Sequence, residues 1–362
     1  MSDEPLPGRA GAETGEPSSP SSTALLEIQD IVRWFPVRSG AVEPGGRRYV
    51  RAVDGVSLRI SPGETLGLVG ESGCGKSTLA RCAARLQELT SGTVRFAGDD
   101  ISRLSAHRLR PYRRKIQMVF QDPIGSLNPR RRVGSIIAEP LIIHRIGDRG
   151  ERRDRVRHLM EVVGLNPEHF NRFPGEFSGG QRQRIGIARA LAVDPQLVIC
   201  DEPVSALDVS IQAQIINLLR DLQTRLSLTY LFIAHDISVV EHMSDRIAVM
   251  YLGKIVELGT TEQVMTSGRH PYSLALLSAL PIADPEVEAM RRRVILRGDT
   301  PSPVDPPSGC RFRTRCPVVQ ERCIEEEPAL RSCPGDPVDH LVACHFPIGK
   351  DESLTSAGRA PK

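Results

Sequence analysis

A glycine-rich segment ending in lysine and serine carries the clearest chemistry in this 362-residue sequence. From Gly70 to Ser77 it has the spacing glycine, four residues, glycine, lysine, serine, after an apolar run predicted to be a buried strand and at the start of a helix predicted from Ser77 to Leu89. Such a loop points backbone N–H groups at phosphate oxygens, and the helix N-terminus favours the anion. We predict that Lys76 reaches the β- and γ-phosphates of a nucleotide and that Ser77 supplies a hydroxyl to Mg²⁺. The residues predicted to hold this nucleotide are Gly70, Ser72, Gly73, Cys74, Gly75, Lys76, Ser77 and Thr78. The alternative is a structural glycine turn with an unrelated lysine.

Two adjacent acids follow a second apolar run, at Asp201 and Glu202. In phosphate-loop ATPases the acid at the strand end holds Mg²⁺, so we predict that role for Asp201, directly or through water. Glu202, one residue on, is positioned to polarise an attacking water. The alternative is a pair of solvated acids at a strand end. Cys200, inside the run, is predicted to be a small buried hydrophobe.

Composition limits the classes of protein to which the chain can belong. Hydrophobic residues make up 40%, and no apolar run approaches the roughly 20 residues of a membrane span. The first residues lack the features of a secretory signal, which predicts a cytoplasmic protein in which disulfides are improbable. The net charge of +3 gives no argument for a nucleic-acid partner, and we expect none.

Short strand-like runs alternate with helical stretches, which favours an α/β fold with a mostly parallel sheet. Strand signals stop after Gln121, so a helical subdomain is predicted at about 122–190, inside a main domain spanning 24–265. A C-terminal extension is predicted at 266–348, where proline and cysteine become frequent. Residues 1–23 are predicted to be a disordered tail, because they have too few apolar positions to offset the entropy of ordering. Residues 349–362 are predicted to be a flexible, frayed end.

The segment Phe-Ser-Gly-Gly-Gln at Phe177–Gln181 precedes a predicted helix and resembles the signature motif of ABC ATPases. A serine and two glycines at a helix start offer N–H groups and the positive end of the dipole to an anion. In that family the signature of one ATPase closes over the γ-phosphate bound by its partner. The resemblance implies this role for Ser178, Gly179, Gly180 and Gln181, and it implies a second ATPase subunit as partner, with a paralogue favoured. An ordinary serine-capped helix is the alternative.

Other elements match the family in its usual order. The resemblance implies that Gln121 belongs to the glutamine loop and binds Mg²⁺ or water through its amide oxygen, that Asp208 lies in a loop at the dimer interface, and that His235 contacts the γ-phosphate. Taken alone, a histidine at a strand end is more often structural. Phe35 is chosen to stack on adenine over Trp34 and Tyr49, although core packing explains any of the three.

The fold implied is an ABC-type nucleotide-binding domain, with a mostly parallel sheet, an antiparallel β subdomain, a helical subdomain and a small cysteine-rich C-terminal extension. Four segments look like the corresponding segments of the oligopeptide and dipeptide importer ATPases. They are Ala52–Ser57, Phe120–Pro123, Ser126–Arg130 and His270–Tyr272. This resemblance implies ATP and Mg²⁺ as cofactors, two integral-membrane permeases and an extracytoplasmic substrate-binding protein as partners, and a peripheral position on the cytoplasmic face of the cell membrane.

Several alternatives remain at this point. Related importers carry other solutes such as nickel chelates. A soluble ABC ATPase acting on DNA or ribosomes is disfavoured, because Gln121 and Ser178 are too close in sequence for the coiled coil of DNA-repair members, and the chain has one ATPase unit. A regulatory subunit with a dead site is disfavoured because the chain has Lys76, Glu202 and His235. An exporter is the nearest competitor.

Five of the eight cysteines fall in the proline-rich extension, where little core is expected. In a reducing compartment a metal is a physical candidate for holding such a segment together. Some members of the importer subfamily carry a [4Fe-4S] cluster here, and the resemblance implies the ligands Cys310, Cys316, Cys323 and Cys344. Zinc and plain reduced thiols are the alternatives, and Cys333 is additional.

Overall fold

The computed structural model describes residues 24–37, 48–122, 125–205, 207–280, 296, 298–333 and 335–349. The two predicted tails, 1–23 and 349–362, lie outside these ranges, except for Gly349. None of the helices in the described part combines the length and apolar character needed to cross a bilayer.

Twelve strands and ten α-helices follow one another along the described chain. The strands are β1 (Leu26–Pro36), β2 (Tyr49–Ile60), β3 (Thr65–Val69), β4 (Ser91–Phe96), β5 (Asp99–Asp100), β6 (Ile116–Val119), β7 (Leu197–Asp201), β8 (Thr229–Ile233), β9 (Arg246–Tyr251), β10 (Lys254–Thr260), β11 (Arg331–Ser332) and β12 (Leu341–Val342). The helices are α1 (Lys76–Ala83), α2 (Ala106–Lys115), α3 (Val133–Ile143), α4 (Arg149–Val162), α5 (Gly179–Leu191), α6 (Val209–Leu226), α7 (Ile237–Met243), α8 (Thr261–Ser267), α9 (Pro271–Ser278) and α10 (Arg322–Glu325), with 3₁₀ turns at Pro167–Asn171 and Pro174–Glu176.

The larger sheet has eight strands in the order β11-β12-β10-β9-β3-β8-β7-β6. Strands β9, β3, β8, β7 and β6 pair in parallel, whereas β10, β12 and β11 extend the sheet with antiparallel pairs. Every residue of β3, β7 and β8 is buried, as expected for parallel strands covered on both faces. Their carboxyl ends therefore meet at one edge of the sheet. The predicted α/β class with a mostly parallel sheet is confirmed.

A separate four-stranded antiparallel sheet has the order β2-β1-β4-β5. Along the second half of β2, buried and exposed residues alternate, which is typical of a sheet with one face on a core. That face shares a core with β3 and α1 through residues such as Ile28, Leu68 and Leu79. The sheet is thereby fixed beside the glycine-rich loop.

Helices α3, α4 and α5 lie between β6 and β7 in the chain, in the region where a helical subdomain was predicted. Asp148 caps α4, accepting hydrogen bonds from the N–H groups of Gly150 and Glu151 while Glu151 accepts from the cap's own N–H. Local sequence thus fixes where this helix begins.

The predicted helix at 77–89 is wrong in extent. It ends at Ala83, because Arg85 adopts a left-handed backbone with φ of 53°.

The C-terminal extension packs on the main domain more closely than its composition predicts. Cys310, Phe312 and Cys323 belong to the same buried cluster as the helical region and the large sheet, so the expectation of little core is wrong here. Buried Glu257 on β10 accepts hydrogen bonds from the backbone N–H groups of Arg269 and His270 and lies 2.8 Å from His340 Nε2. These contacts join the extension to the sheet edge.

Candidate functional site

The glycine-rich loop connects the end of β3 to the start of α1, as the sequence predicts. A Cβ on Gly70 would lie 2.2 Å from the carbonyl oxygen of Met250, and one on Gly75 would lie 2.0 Å from that of Ala52. Gly75 also has φ of 111°, a backbone region that disfavours side chains. Only glycine allows the loop to lie this close to the neighbouring backbone.

Lys76 is 4% exposed, and its ammonium group lies inside the curve of the loop. Its Nζ donates hydrogen bonds to the carbonyl oxygens of Gly70, at 2.7 Å, and Glu71, at 2.9 Å. Both acceptors are neutral, and among the described residues no carboxylate forms an ion pair with Lys76 to balance this buried charge. An anion at the loop would find the ammonium group and the first N–H groups of α1 on the same side.

Ser77 and Asp201 join the loop to the end of β7. The Ser77 hydroxyl donates to Asp201 Oδ1 at 2.8 Å. Asp201 is 1% exposed, and within the described residues no group donates a hydrogen bond to its Oδ2. Burial raises the pKa of this carboxyl above its ordinary value, against the opposing effects of Ser77 and nearby cations. A hydroxyl beside a carboxylate with an unsatisfied buried oxygen fits a hard divalent cation such as Mg²⁺.

Three polar side chains from three strand ends meet beside this pair. Gln121 Nε2 donates to Glu202 Oε2 at 2.7 Å, and His235 Nδ1 lies 3.9 Å from the same oxygen. Glu202 itself has φ of 48°, in the left-handed region, which costs a non-glycine residue about 1 kcal/mol or more. The structure therefore holds the Glu202 carboxylate between an amide and an imidazole.

One cavity collects most of the residues that the sequence singled out. Its lining includes Phe35, Ser72, Gly73, Gly75, Lys76, Ser77, Thr78, Gln121 and Glu202, together with Val50, Ala52 and Pro303, which sequence reasoning missed. Trp34 instead pairs with Tyr49, at 6.3 Å between ring centroids, and donates its indole N–H to Asp54. Phe35 is thus the aromatic residue that the fold directs to this cavity. Gly70 and Cys74 belong to the loop behind the lining, and His235 lines an adjoining pocket that also includes Glu202.

The signature-like segment lies elsewhere. None of residues 178–181, all of which are described, lines the cavity. Ser178 Oγ accepts from the Gln181 N–H, and Gln181 Oε1 accepts from the Ser178 N–H, so the two residues form a capping box on α5. Gly180 lies against Ile211 of α6, since a Cβ there would be 2.4 Å from the Ile211 Cγ2 atom. Asp208, which precedes α6, is exposed. The structure therefore does not bring these residues to the loop of the same chain.

Sequence reasoning missed a set of contacts between the loop and the extension. The N–H of Glu71 donates to the hydroxyl of Tyr272 at 2.8 Å. The Glu71 carboxylate accepts from Arg315 Nη1, at 2.9 and 2.8 Å for its two oxygens, and from the Thr300 hydroxyl at 2.8 Å. Tyr272 belongs to the His-Pro-Tyr motif noted in the sequence, but no local pattern links Glu71 to Thr300 or Arg315.

Four cysteines of the extension, Cys310, Cys316, Cys323 and Cys344, line one small cavity. Burial raises the pKa of the Cys316 thiol to about 11 and that of Cys344 to about 12, which favours neutral thiols. Across the described ranges, no group of three or more His, Cys, Asp or Glu side chains is arranged to hold a metal ion. The predicted iron–sulfur cluster and its zinc alternative are therefore not supported by the side-chain positions.

Two family models match the chain. One, described as "ABC transporter", matches residues 53–205, and the other, described as "Oligopeptide/dipeptide transporter, C-terminal region", matches residues 256–323. The chain is 52% identical over 325 residues to the oligopeptide transport ATP-binding protein AppF of Bacillus subtilis (strain 168), an alignment covering 89% of this chain and 97% of that protein. It is also 52% identical over 324 residues to OppF of Salmonella typhimurium, another oligopeptide transport ATP-binding protein, covering 88% of this chain and 95% of that one.

Solved structures of ABC cassettes have a similar fold. The chain resembles the ATP-binding cassette MJ0796 in a dimeric, post-hydrolysis state bound to ADP and Pi, with a TM-score of 0.58 and 29% identity, covering 65% of this chain and 98% of that one. It also resembles cbiO1 from Clostridium perfringens, part of the ABC transporter complex cbiONQ, with a TM-score of 0.57 and 26% identity over 67% of this chain and 90% of that one.

Replacing Asp201 by Asn is predicted to raise the melting temperature in the presence of a chelator, by about 1–3 °C at pH 7.5. A carboxyl whose folded pKa is raised stabilises the fold fully below its unfolded pKa, and that stabilisation is lost as pH rises through the folded pKa. Asparagine does not ionise, so its advantage grows as pH rises from about 4, close to the unfolded pKa of an aspartate, to pH 7.5. Thermal melts at both pH values measure this.

The matched control is Asp221→Asn, at an exposed position on α6, which leaves the melting temperature unchanged. A D201N protein that melts below both wild type and this control would show that the ionised Asp201 stabilises the fold.

Proposed function

This chain belongs to the oligopeptide/dipeptide branch of the ABC transporter ATP-binding proteins, and we propose that it hydrolyses ATP to energise uptake of oligopeptides or dipeptides across the cell membrane. One observation carries the proposal: the buried Lys76, the Ser77–Asp201 pair and the Glu202 carboxylate all meet around one cavity at the carboxyl edge of a parallel sheet. Peptide is the favoured cargo because relatives that align along almost their whole length are oligopeptide transport proteins. Other solutes and a soluble ABC ATPase are not favoured.

Lys76 and Ser77 are the proposed ligands of the triphosphate and its cation. On nucleotide binding, Nζ of Lys76 exchanges its two carbonyl acceptors for phosphate oxygens, which bear charge and so bond it more strongly. Ser77 and Asp201 would hold Mg²⁺, whose chemistry there is to neutralise charge on the phosphates. The unpartnered Oδ2 of Asp201 supports this assignment. Phe35 is the proposed partner of the adenine ring.

Glu202 is the proposed general base that takes a proton from the attacking water. Its carboxylate already accepts the Gln121 amide N–H, which orients it and leaves the Gln121 amide oxygen for Mg²⁺ or water. His235, within 3.9 Å of that carboxylate, is the proposed contact to the γ-phosphate. Because Gln121 directly follows the core sheet and precedes the helices α3–α5, its bond to Glu202 also couples the site to those helices.

A second ATPase subunit is proposed to complete the site. Ser178, Gly179, Gly180 and Gln181 form the N-terminus of α5, a position that suits an anion, yet they do not line this chain's own cavity. They would cap the γ-phosphate held by the partner, with Asp208 at the interface between the two subunits. Differential affinity of ATP for the closed pair then drives closure, and hydrolysis reverses it.

Membrane permeases are the proposed partners of the helical region. A groove between that region and the core sheet is lined by Leu86, Phe120 and Ile143 among others, and Leu86 and Ile143 are 51% and 55% exposed. Exposed apolar side chains around a groove suit an apolar segment of a partner. We place two permeases there, with a substrate-binding protein on the far side of the membrane and this chain peripheral on the cytoplasmic face.

Replacing Glu202 by Gln is predicted to slow steady-state ATP hydrolysis of the assembled transporter by about 10²–10⁴-fold, because the amide cannot accept the proton. Affinity for MgATP should stay within about twofold, since Gln at this position still accepts the Gln121 N–H. Phosphate-release kinetics and calorimetry measure the two quantities.

Glu241→Gln is the control, because Glu241 is exposed on α7, and it should hydrolyse ATP like wild type. Undiminished hydrolysis by E202Q would remove Glu202 from its proposed role.

A metal or cluster at the four cysteines is a separate proposal: the four side chains line one cavity, although their positions in the structure do not form a metal site. Protein purified without oxygen should then absorb in the visible if iron–sulfur is bound, and lose that absorption in Cys323→Ser but not in Cys333→Ser, which changes a cysteine outside the cavity. Metal analysis distinguishes zinc. A colourless protein containing neither iron nor zinc would leave plain thiols as the answer.

A further inference from the structure

We propose that the C-terminal extension forms part of the ATP site, with Pro303 contacting the nucleoside part of the bound nucleotide. The inference rests on the proposed ATP site, and it assigns to that site a lining residue from the C-terminal extension. The segment concerned, residues 300–303, precedes the cysteine-rich part of the chain.

Pro303 is half-buried and lines the same cavity as Phe35 and the glycine-rich loop. Its neighbours in the lining include Val50 and Ala52 of β2. Pro303 is therefore the one residue of the extension, among those described, that the cavity includes. A ligand that extends from the phosphate loop towards Phe35 would therefore contact Pro303.

The backbone of β2 fixes one end of the 300–303 segment. The N–H of Arg51 donates to the carbonyl oxygen of Pro303 at 2.9 Å. Arg51 lies between Val50 and Ala52, the two β2 residues of the lining, so this bond sets Pro303 directly beside the cavity wall.

The phosphate loop holds the other end. The Thr300 hydroxyl donates to the Glu71 carboxylate at 2.8 Å, and Arg315 donates to both oxygens of the same carboxylate. Since Glu71 follows Gly70 in the loop, the segment spans from the loop to β2. Side-chain contacts at Thr300 and a backbone hydrogen bond at Pro303 thus hold the segment beside the cavity.

The cavity lining combines two chemically different sets of side chains. Lys76, Ser77 and Glu202 are charged or hydrogen-bonding, which suits a triphosphate. Phe35, Val50, Ala52 and Pro303 are apolar. An aromatic ring and a proline ring offer flat apolar faces to a purine and its ribose, whereas they offer nothing to phosphate. We therefore expect Pro303 to contribute to the binding affinity of the nucleoside part of the ligand and not to that of the phosphates.

The test is calorimetric titration of the full chain with MgATP and, separately, with inorganic triphosphate and Mg²⁺. Pro303→Ala removes the ring contact, and about 3–10-fold weaker ATP binding is expected from the apolar surface lost. Triphosphate affinity should not change. Pro301→Ala is the matched control, since Pro301 belongs to the same segment but not to the lining, and it should bind both ligands like wild type.

Unchanged ATP affinity in P303A would overturn the inference while leaving the proposed ATPase function intact. Equal losses for ATP and triphosphate would also overturn it, because the change would then act through the phosphate loop. Wild-type protein that binds neither ligand would instead refute the proposed function itself.

Discussion

Two buried charges of opposite sign, on Lys76 and Asp201, have only part of their bonding capacity satisfied by the protein. The ammonium group bonds to two backbone carbonyls, and the carboxylate accepts one hydroxyl. Burying charges that lack full partners is unfavourable, so a fold keeps them only where something else supplies the missing interactions. A magnesium–triphosphate complex supplies an anion to one and a cation to the other. The surrounding architecture, from the parallel strand ends to the obligatory glycines, holds this pair in place.

In the proposed function, the described part of the chain leaves one side of the nucleotide uncovered. The helix start that could cap it, at Ser178, does not line the cavity and bonds to Gln181 instead. A site divided in this way would respond to association, because ATP would bind the paired state better than the separate one. In this proposal the Gln121–Glu202 bond would extend the response to the helical region, where exposed apolar residues such as Ile143 border a groove suited to a membrane partner.

Sequence reasoning succeeded where the functional residues belong to short, contiguous motifs. Lys76, Ser77 and Glu202 were identified from the loop spacing and from the acids that end an apolar run, and the structure brings them to one cavity. It failed where contacts join distant segments: nothing near Glu71 predicts Thr300 or Arg315. The end of α1 was missed because Arg85 takes a left-handed backbone that no residue type there suggests. The packing of the extension was missed because composition does not report what a segment packs against.

The division of the site between two chains is tested most directly by placing a large cation at Ser178 in every copy, as Ser178→Arg. The account predicts that the isolated chain binds MgATP within about twofold of wild type, because its own cavity is untouched. It also predicts that ATP hydrolysis by the assembled complex falls at least ~100-fold, because the partner's γ-phosphate loses its cap. Hydrolysis at the wild-type rate in that complex would contradict the account.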